Sequence, residues 1–173
     1  TSFVAVIKTA NEYKEAWKIE GSIDEMKTDL FMHSTKLVSK LAKSNEVFKW
    51  GIYKRPDVNK LFVKNITFLG DAAHPIVPFL GQGGCMALED AYIFGKLLIK
   101  NRDDIAHAQR EYKRLRAPRL RMVKRMSETQ GYLYHLSNPL IISIRNFLMR
   151  NSSSTTEKRL MRIWDYDPNN DLK

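Results

Sequence analysis

The pattern of apolar and polar positions changes character along the chain, from strand-length runs near the start to helical spacing in the later part. Phe3-Val4-Ala5-Val6-Ile7 is a β-prone run, and Tyr13 to Ile19, around Trp17, predicts a second strand after a turn over Lys8 to Glu12. Ser22 reads as an N-cap with Glu25 three residues on as its capping-box partner. Ile23, Met26, Leu30, Leu37, Val38 and Leu41 then extend a helix to about Lys43. Val47 to Tyr53 predicts another strand, broken by the turn chemistry of Arg55-Pro56-Asp57. Asn65-Ile66-Thr67-Phe68-Leu69 is a short apolar run that stops at Gly70-Asp71, the pattern of a strand feeding a loop.

From Gln82 to Lys100 the spacing is helical and apolar on most sides, through Ala87, Leu88, Ala91, Ile93, Phe94, Leu97 and Leu98, which predicts a buried helix. Asp103 or Asp104 caps a further helix through Ala108, Tyr112 and Leu115, with Pro118 expected to kink or restart it before Leu120 to Leu136. Asn138-Pro139 opens a shorter helix carrying Ile142, Phe147 and Leu148. Asn151 to Thr156 is a polar break, and one last turn is expected from Glu157 to Trp164. The fold class is therefore α+β, with a few strands, one strand leading into a loop, then mainly long helices. No internal repeat is present.

Composition narrows the classes. With 173 residues, 43% of them hydrophobic, the chain supports one ordinary core or two small subdomains sharing one. No apolar run approaches the length needed to cross a bilayer. Thr1 opens the chain without a secretory signal pattern, the expectation being a processed or trimmed piece. The single cysteine, Cys85, excludes an internal disulfide and a cysteine-cluster metal site, and makes cytoplasm the default compartment. The formal charge of +10 is spread along the chain with one dense patch from Lys113 to Arg125, which reads as solvated helix faces ahead of a nucleic-acid site.

The chemistry concentrates in Gly70-Asp71-Ala72-Ala73-His74-Pro75, then Pro78, then Gly81-Gln82-Gly83-Gly84, with Glu89-Asp90-Ala91 on the helix that follows. A carboxylate beside a glycine at a strand end accepts hydrogen bonds from a polyol and lets a ligand come close. Glycines at a helix start leave backbone N–H groups aimed at an acceptor, and the helix dipole favours negative charge there. His74 reads as a structural residue bonded to loop backbone, and Cys85 as a small apolar residue on the buried helix start. His33 and His107 read as surface positions, and His135 is open between packing and the site. Glu89 and Asp90 point about 100° apart on a helix and cannot act as a paired acid and base. Asp90 is the one expected to support the loop. No histidine pair has metal-site spacing, so no metal is expected.

In that order, these residues resemble the second FAD motif of the class A flavoprotein monooxygenases, the group of para-hydroxybenzoate hydroxylase and salicylate hydroxylase. Lys49-Trp50, Tyr53 and Arg55, then Tyr112, Arg116, Pro118 and Arg119, then Tyr134-His135-Leu136, Arg145-Asn146 and Trp164 to Pro168 resemble the salicylate hydroxylase and 3-hydroxybenzoate 6-hydroxylase branch. The resemblance implies a substrate-domain remnant over 1–64, the flavin motif and buried helix over 65–102, and a helical region over 103–173. It implies FAD as cofactor, NAD(P)H as co-substrate and a phenolic or benzoate-type aromatic substrate. Asp71, beside Gly70, would bond the ribityl chain, and backbone near Gly83 and Gly84, with Gly81 in the same loop, would face the pyrimidine edge. Pro78 would wall the space between flavin and substrate, and Gln82 would contact one of them.

The family pattern is broken in one respect. No Gly-x-Gly-x-x-Gly turn follows a strand, so the dinucleotide-binding half is expected from another segment, with that half or a second copy as partner. The readings left open are a non-catalytic flavoprotein remnant acting as an interaction module, a basic nucleic-acid-binding domain, and a ring epoxidase or ubiquinone-type hydroxylase. Aromatic residues do not interleave with the Lys113 to Arg125 run, which counts against nucleic acid and leaves no nucleic-acid partner expected.

Overall fold

A computed structural model describes residues 3–9, 19–30, 35–41, 46–56 and 60–173. The chain divides into two units, Thr1–Tyr53 and Lys54–Lys173. In the first, β1 (Ile19–Glu20) pairs antiparallel with β2 (Phe48–Lys49), Ile19 opposite Lys49. The capping box forms at the start of α1 (Ile23–Leu30): Ser22 Oγ accepts from the Asp24 N–H at 3.1 Å, and the Glu25 carboxylate accepts from the Ser22 N–H at 3.2 Å. Glu25 also meets Lys49 Nζ at 2.9 Å, tying the helix start to β2.

Three expectations for this unit change. The single helix expected to about Lys43 is two segments, α1 ending at Leu30 and α2 spanning Thr35–Leu41, with 31–34 outside the described residues. Phe3 to Ile7, expected as a strand, are in no regular secondary structure and are exposed. The strand expected from Val47 to Tyr53 is confined to Phe48–Lys49. Apart from Ile19, the strand expected around Trp17 lies outside the described residues, as do His33 and Asp57.

In the second unit β3 (Phe62–Val63) and β4 (Ile66–Thr67) form a hairpin, Phe62 opposite Thr67. The chain then passes through a 3-10 turn (Gly70–Ala72), a loop and a second 3-10 turn (Pro78–Leu80) into α3 (Gly83–Lys100). There follow α4 (Ile105–Tyr134), α5 (Pro139–Asn151), α6 (Ser153–Trp164) and a closing 3-10 turn (Asn170–Leu172). Among the described residues no helix is long and apolar enough to cross a membrane.

Met86, Ile93 and Leu97 of α3 and Tyr112, Leu120 and Val123 of α4 share one core. α3 is buried on this side alone, correcting the expectation of burial on most sides: Leu88 is 74% exposed and Ile99 64%. Cys85, expected on a buried helix start, is exposed. Asp104 caps α4 by accepting from the His107 N–H at 2.8 Å, and Asn138 caps α5 by accepting from the Leu140 N–H at 2.9 Å.

α4 runs unbroken through Pro118, where a kink or restart was expected. Pro118 is exposed, while side chains on both sides of it, Arg116 and Arg119, are anchored in the interior and hold the helix in line. α6 is also longer than the single turn expected, and starts inside the polar stretch read as a break.

The Arg-rich run is only partly a solvated face, because Arg116 and Arg119 are buried. Arg116 Nε donates to Asp90 Oδ1 at 2.7 Å and its Nη1 to Glu89 Oε2 at 2.8 Å. Arg119 Nη2 donates to Glu89 Oε1 at 2.8 Å. Arg119 also caps the end of α6, donating to the Arg162 carbonyl at 2.7 Å and the Ile163 carbonyl at 3.0 Å. The Arg119 guanidinium lies 3.9 Å from the centre of the Tyr166 ring. Two carboxylates and two guanidiniums thus join α3, α4 and α6.

Burial alone would raise the Asp90 pKa, but hydrogen bonds from His74, Arg116 and the Gly70 N–H outweigh it and hold the carboxyl below the ordinary aspartate value. A depressed carboxylate pKa stabilises the fold above the unfolded value, and that stabilisation disappears as pH falls through the folded value.

This packing generates three predictions. Ile93→Ala costs about 2–5 kcal/mol of stability, whereas Leu88→Ala stays within about 0.5 kcal/mol; urea unfolding followed by circular dichroism compares them. Arg116→Met removes the guanidinium partner of the buried Asp90, leaving that carboxylate to His74 and the Gly70 N–H, and costs about 3–5 kcal/mol at neutral pH. Asp90→Asn flattens the acid limb of the stability profile below about pH 4, read as urea midpoint against pH. An unchanged acid limb would show that Asp90 is not the group being protonated.

Candidate functional site

The site is built where β4 runs out. Gly70 takes φ 57°, in the left-handed region, and a Cβ there would lie 3.0 Å from Ala87 Cβ, so glycine is needed both for the turn and for the close approach of α3. The Gly70 carbonyl accepts from the Ala73 and His74 N–H groups, each at 2.9 Å, and the Gly70 N–H donates to Asp90 Oδ2 at 3.0 Å. Asp90 therefore holds the loop, as the sequence led us to expect of it.

His74 is buried, and its imidazole bonds the Asp90 carboxylate, not loop backbone as the sequence suggested. A carboxylate can only accept, so Nε2 carries the proton. Nδ1 is buried with no hydrogen-bond partner among the described residues. His74 faces inward and takes no part in the outward-facing group.

Asp71, the next residue after Gly70, is turned the other way. It is exposed, and its carboxylate makes no hydrogen bond or ion pair with a described residue. A Cβ placed on Gly83 would sit 3.8 Å from Asp71 Oδ1, so the carboxylate and the first turn of α3 stand side by side.

That first turn is uncapped. Gln82 is its N-cap residue but makes no side-chain capping bond, and no acidic residue lies in the turn. The first N–H bonded within the helix is that of Met86, to the Gln82 carbonyl at 3.0 Å. The N–H groups of Gly83, Gly84 and Cys85 therefore remain for a ligand or solvent. A Cβ on Gly84 would meet nothing within 4 Å, which leaves room for a flat group over the turn.

Gly81 adopts φ 64° and donates its N–H to the Pro78 carbonyl at 3.0 Å, closing the 3-10 turn that Pro78 opens. Pro78 is exposed, and Gln82 is half-buried with its Nε2 donating to the Leu80 carbonyl at 3.3 Å. The structure thus brings Asp71 against Gly83, with Gly81, Gln82 and Gly84 in the same short segment and Pro78 at its start. Glu89, turned to Arg116 and Arg119, stands apart from this group.

What the sequence did not reveal is the scaffold behind the loop. α4 meets it at three points along its length: Gln109 Nε2 donates to Thr67 Oγ1 at 3.0 Å, Tyr112 OH to the Phe68 carbonyl at 3.2 Å, and Ser127 Oγ to the Val77 carbonyl at 2.6 Å. Further along, Gly131 lies so close to Phe79 that a Cβ would come within 2.4 Å of the ring. Burial, with the nearby Asp90 carboxylate, pushes the Tyr112 hydroxyl pKa up, so the phenol stays a donor. The missed signal was position: Arg116 falls on the apolar stripe of Ala108, Tyr112, Leu120 and Val123, where a solvated arginine does not belong.

No protein-family model matches the chain. It is 30% identical over 164 residues to a 3-amino-4-hydroxybenzoate 2-monooxygenase of Streptomyces platensis, a match covering 95% of this chain and 40% of that protein. It is also 30% identical over 151 residues to the 3-hydroxybenzoate 6-hydroxylase of Klebsiella oxytoca, covering 87% of this chain and 38% of that one. Among solved structures, a salicylate hydroxylase substrate complex superimposes with a TM-score of 0.72 at 25% identity, over 96% of this chain and 40% of that one. The chain spans about two fifths of the length of these relatives. In sequence and in fold, it corresponds to part of an aromatic hydroxylase of the FAD-dependent monooxygenase family.

Proposed function

We propose that the chain is the C-terminal portion of an FAD-dependent monooxygenase that hydroxylates a phenolic or benzoate-type ring with dioxygen and NAD(P)H. The observation that carries this reading is the outward Asp71 carboxylate beside an uncapped, glycine-lined helix start. The residues fit the flavin. Asp71 accepts hydrogen bonds from the hydroxyls of the ribityl chain. The N–H groups of Gly83 and Gly84 face the pyrimidine edge, and the α3 dipole favours negative charge there.

When bound and reduced, FAD supplies the oxygen-activating chemistry; the chain's own residues bind, orient and exclude water. Gly70 and Gly81 set the two left-handed turns that bring Asp71 and the helix start together. Pro78 walls the space next to the ring system, and Gln82 contacts substrate or flavin from the N-cap position. No described residue acts as a metal ligand or nucleophile in this scheme. Relatives named for aminohydroxybenzoate and hydroxybenzoate hydroxylation support an aromatic substrate. The NAD(P)H co-substrate, and a dinucleotide-binding part supplied by another segment, complete the proposal.

Fluorescence titration of the isolated chain with FAD tests it. Only part of the ligand's contacts are present, so we expect a dissociation constant weaker than about 1 μM. Asp71→Ala should weaken binding by roughly tenfold or more, the loss of a hydrogen bond to a charged group, without moving the urea midpoint. Equal FAD affinity of wild type and Asp71→Ala would defeat the assignment of this carboxylate.

A further inference from the structure

Arg116 is the largest fully buried side chain among the described residues, and a guanidinium in such a place needs acceptors for its N–H groups. Its planar fork aims all of them together, so each acceptor helps to fix the others. Nε serves Asp90, and one Nη1 proton serves Glu89. The second Nη1 proton goes to a residue outside α3 and α4: the Tyr166 hydroxyl, at 3.3 Å, in the segment that follows α6.

Tyr166 is held in turn. Its hydroxyl donates to Asp171 Oδ2 at 2.5 Å, in the closing 3-10 turn, and its ring lies against the Arg119 guanidinium. Burial, and after it the bond to Asp171, push the hydroxyl pKa up to about 12, so the phenol keeps its proton for Asp171 and offers its lone pair to Arg116. The segment is pinned on both sides of Asp171: Tyr92 OH of α3 donates to Asn169 Oδ1 at 2.6 Å, and Leu172 packs against the core. A line of hydrogen bonds therefore runs from Asp171 through Tyr166, Arg116 and Asp90 to the Gly70 N–H, beside Asp71.

We propose that Tyr166 and Asp171 are positioning residues for the candidate site: acting through Arg116 and Asp90, they set the Gly70 turn and so the direction in which the Asp71 carboxylate points. The proposal deepens the flavoprotein reading, and rests on that reading for what Asp71 holds. Without the Tyr166 hydroxyl, a buried Arg116 proton has no acceptor. The guanidinium recovers one only by turning, and turning draws Nε away from Asp90.

Amide hydrogen exchange of the ligand-free chain, read by NMR, tests the link without any enzyme activity. Tyr166→Phe keeps the ring against Arg119 and removes only the hydroxyl. Exchange at the Gly70 amide should quicken by about tenfold, the scale of one hydrogen bond to a charged group. The Asn101 amide, bonded to the Leu97 carbonyl at the far end of α3, should hold its rate. Asp171→Ala should act as Tyr166→Phe does, while Asp171→Asn, whose amide oxygen still accepts from Tyr166, should restore the wild-type rate. In a fluorescence titration, the FAD affinity of Tyr166→Phe should fall roughly threefold, as a competent fraction reduced to about a third implies. In an Asp71→Ala background the same substitution should cost nothing further. Unchanged Gly70 exchange, or equal acceleration at Asn101, overturns the proposal. Where FAD binds, so does an affinity that Tyr166→Phe leaves unmoved, or a loss that persists in full without the Asp71 carboxylate. A chain that exchanges as expected but binds no FAD counts against the flavin reading and leaves the positioning intact.

Discussion

One buried carboxylate organises the second unit. Asp90 sits fully buried in α3 and draws donors from two other elements: the Gly70 N–H and the His74 imidazole from the loop, and the Arg116 Nε from α4. An isolated charge in such a place is prohibitively costly, so the arrangement is stable only when all three donors arrive together. That makes the network a register device. Sliding α4 by one turn along α3 would strand both Asp90 and Arg116, which gives the fold a single acceptable alignment where apolar packing alone tolerates several.

The network also accounts for what faces outward. The Gly70 turn takes its hydrogen bonds from below, through Asp90 and through the Ala73 and His74 N–H groups, and needs nothing from Asp71. The two aspartates stand at the same turn in opposite ways: Asp90 accepts from the protein on both oxygens, and Asp71 is exposed with no hydrogen bond to a described residue. The neighbouring Glu89 extends the scaffold outward, since its direction on the helix carries it to Arg119 and so to the end of α6. α4 supplies the rigidity, bonding β4 and the loop through Gln109 and Tyr112 and, about four turns further on, through Ser127.

The sequence revealed those parts of this arrangement that local chemistry governs. The capping box at Ser22 and the caps at Asp104 and Asn138 are decided by residues within one helical turn, and each formed. The loop support by Asp90 was legible because its neighbours in sequence already made a recognisable motif. The burial of Arg116 and Arg119 was not, since charge read along a helix says only that arginine prefers water unless a partner is known, and the partners lie more than twenty residues away. Pro118 misled for a related reason: the penalty for proline inside a helix is local, and here anchored arginines on both sides oppose it. Apolar periodicity in α3 called for burial on most sides and the structure buries one, because periodicity along a helix does not say which of its faces the surrounding elements cover.

That last distinction bears on chemistry as well as on folding. The inner side of α3 is enough to fix the loop, so Asp71 and the α3 N-terminus take their places without the rest of the fold. Their strength is another matter. On a surface open to water, a carboxylate and three N–H dipoles hold a ligand weakly, because solvent competes for every hydrogen bond and screens the helix end. Covering the outer side of α3 lowers the local dielectric over the same atoms, and interactions already in place become stronger without moving. A site positioned by one part of a fold and covered by another gains affinity from exclusion of water without any change in the positions of its own atoms.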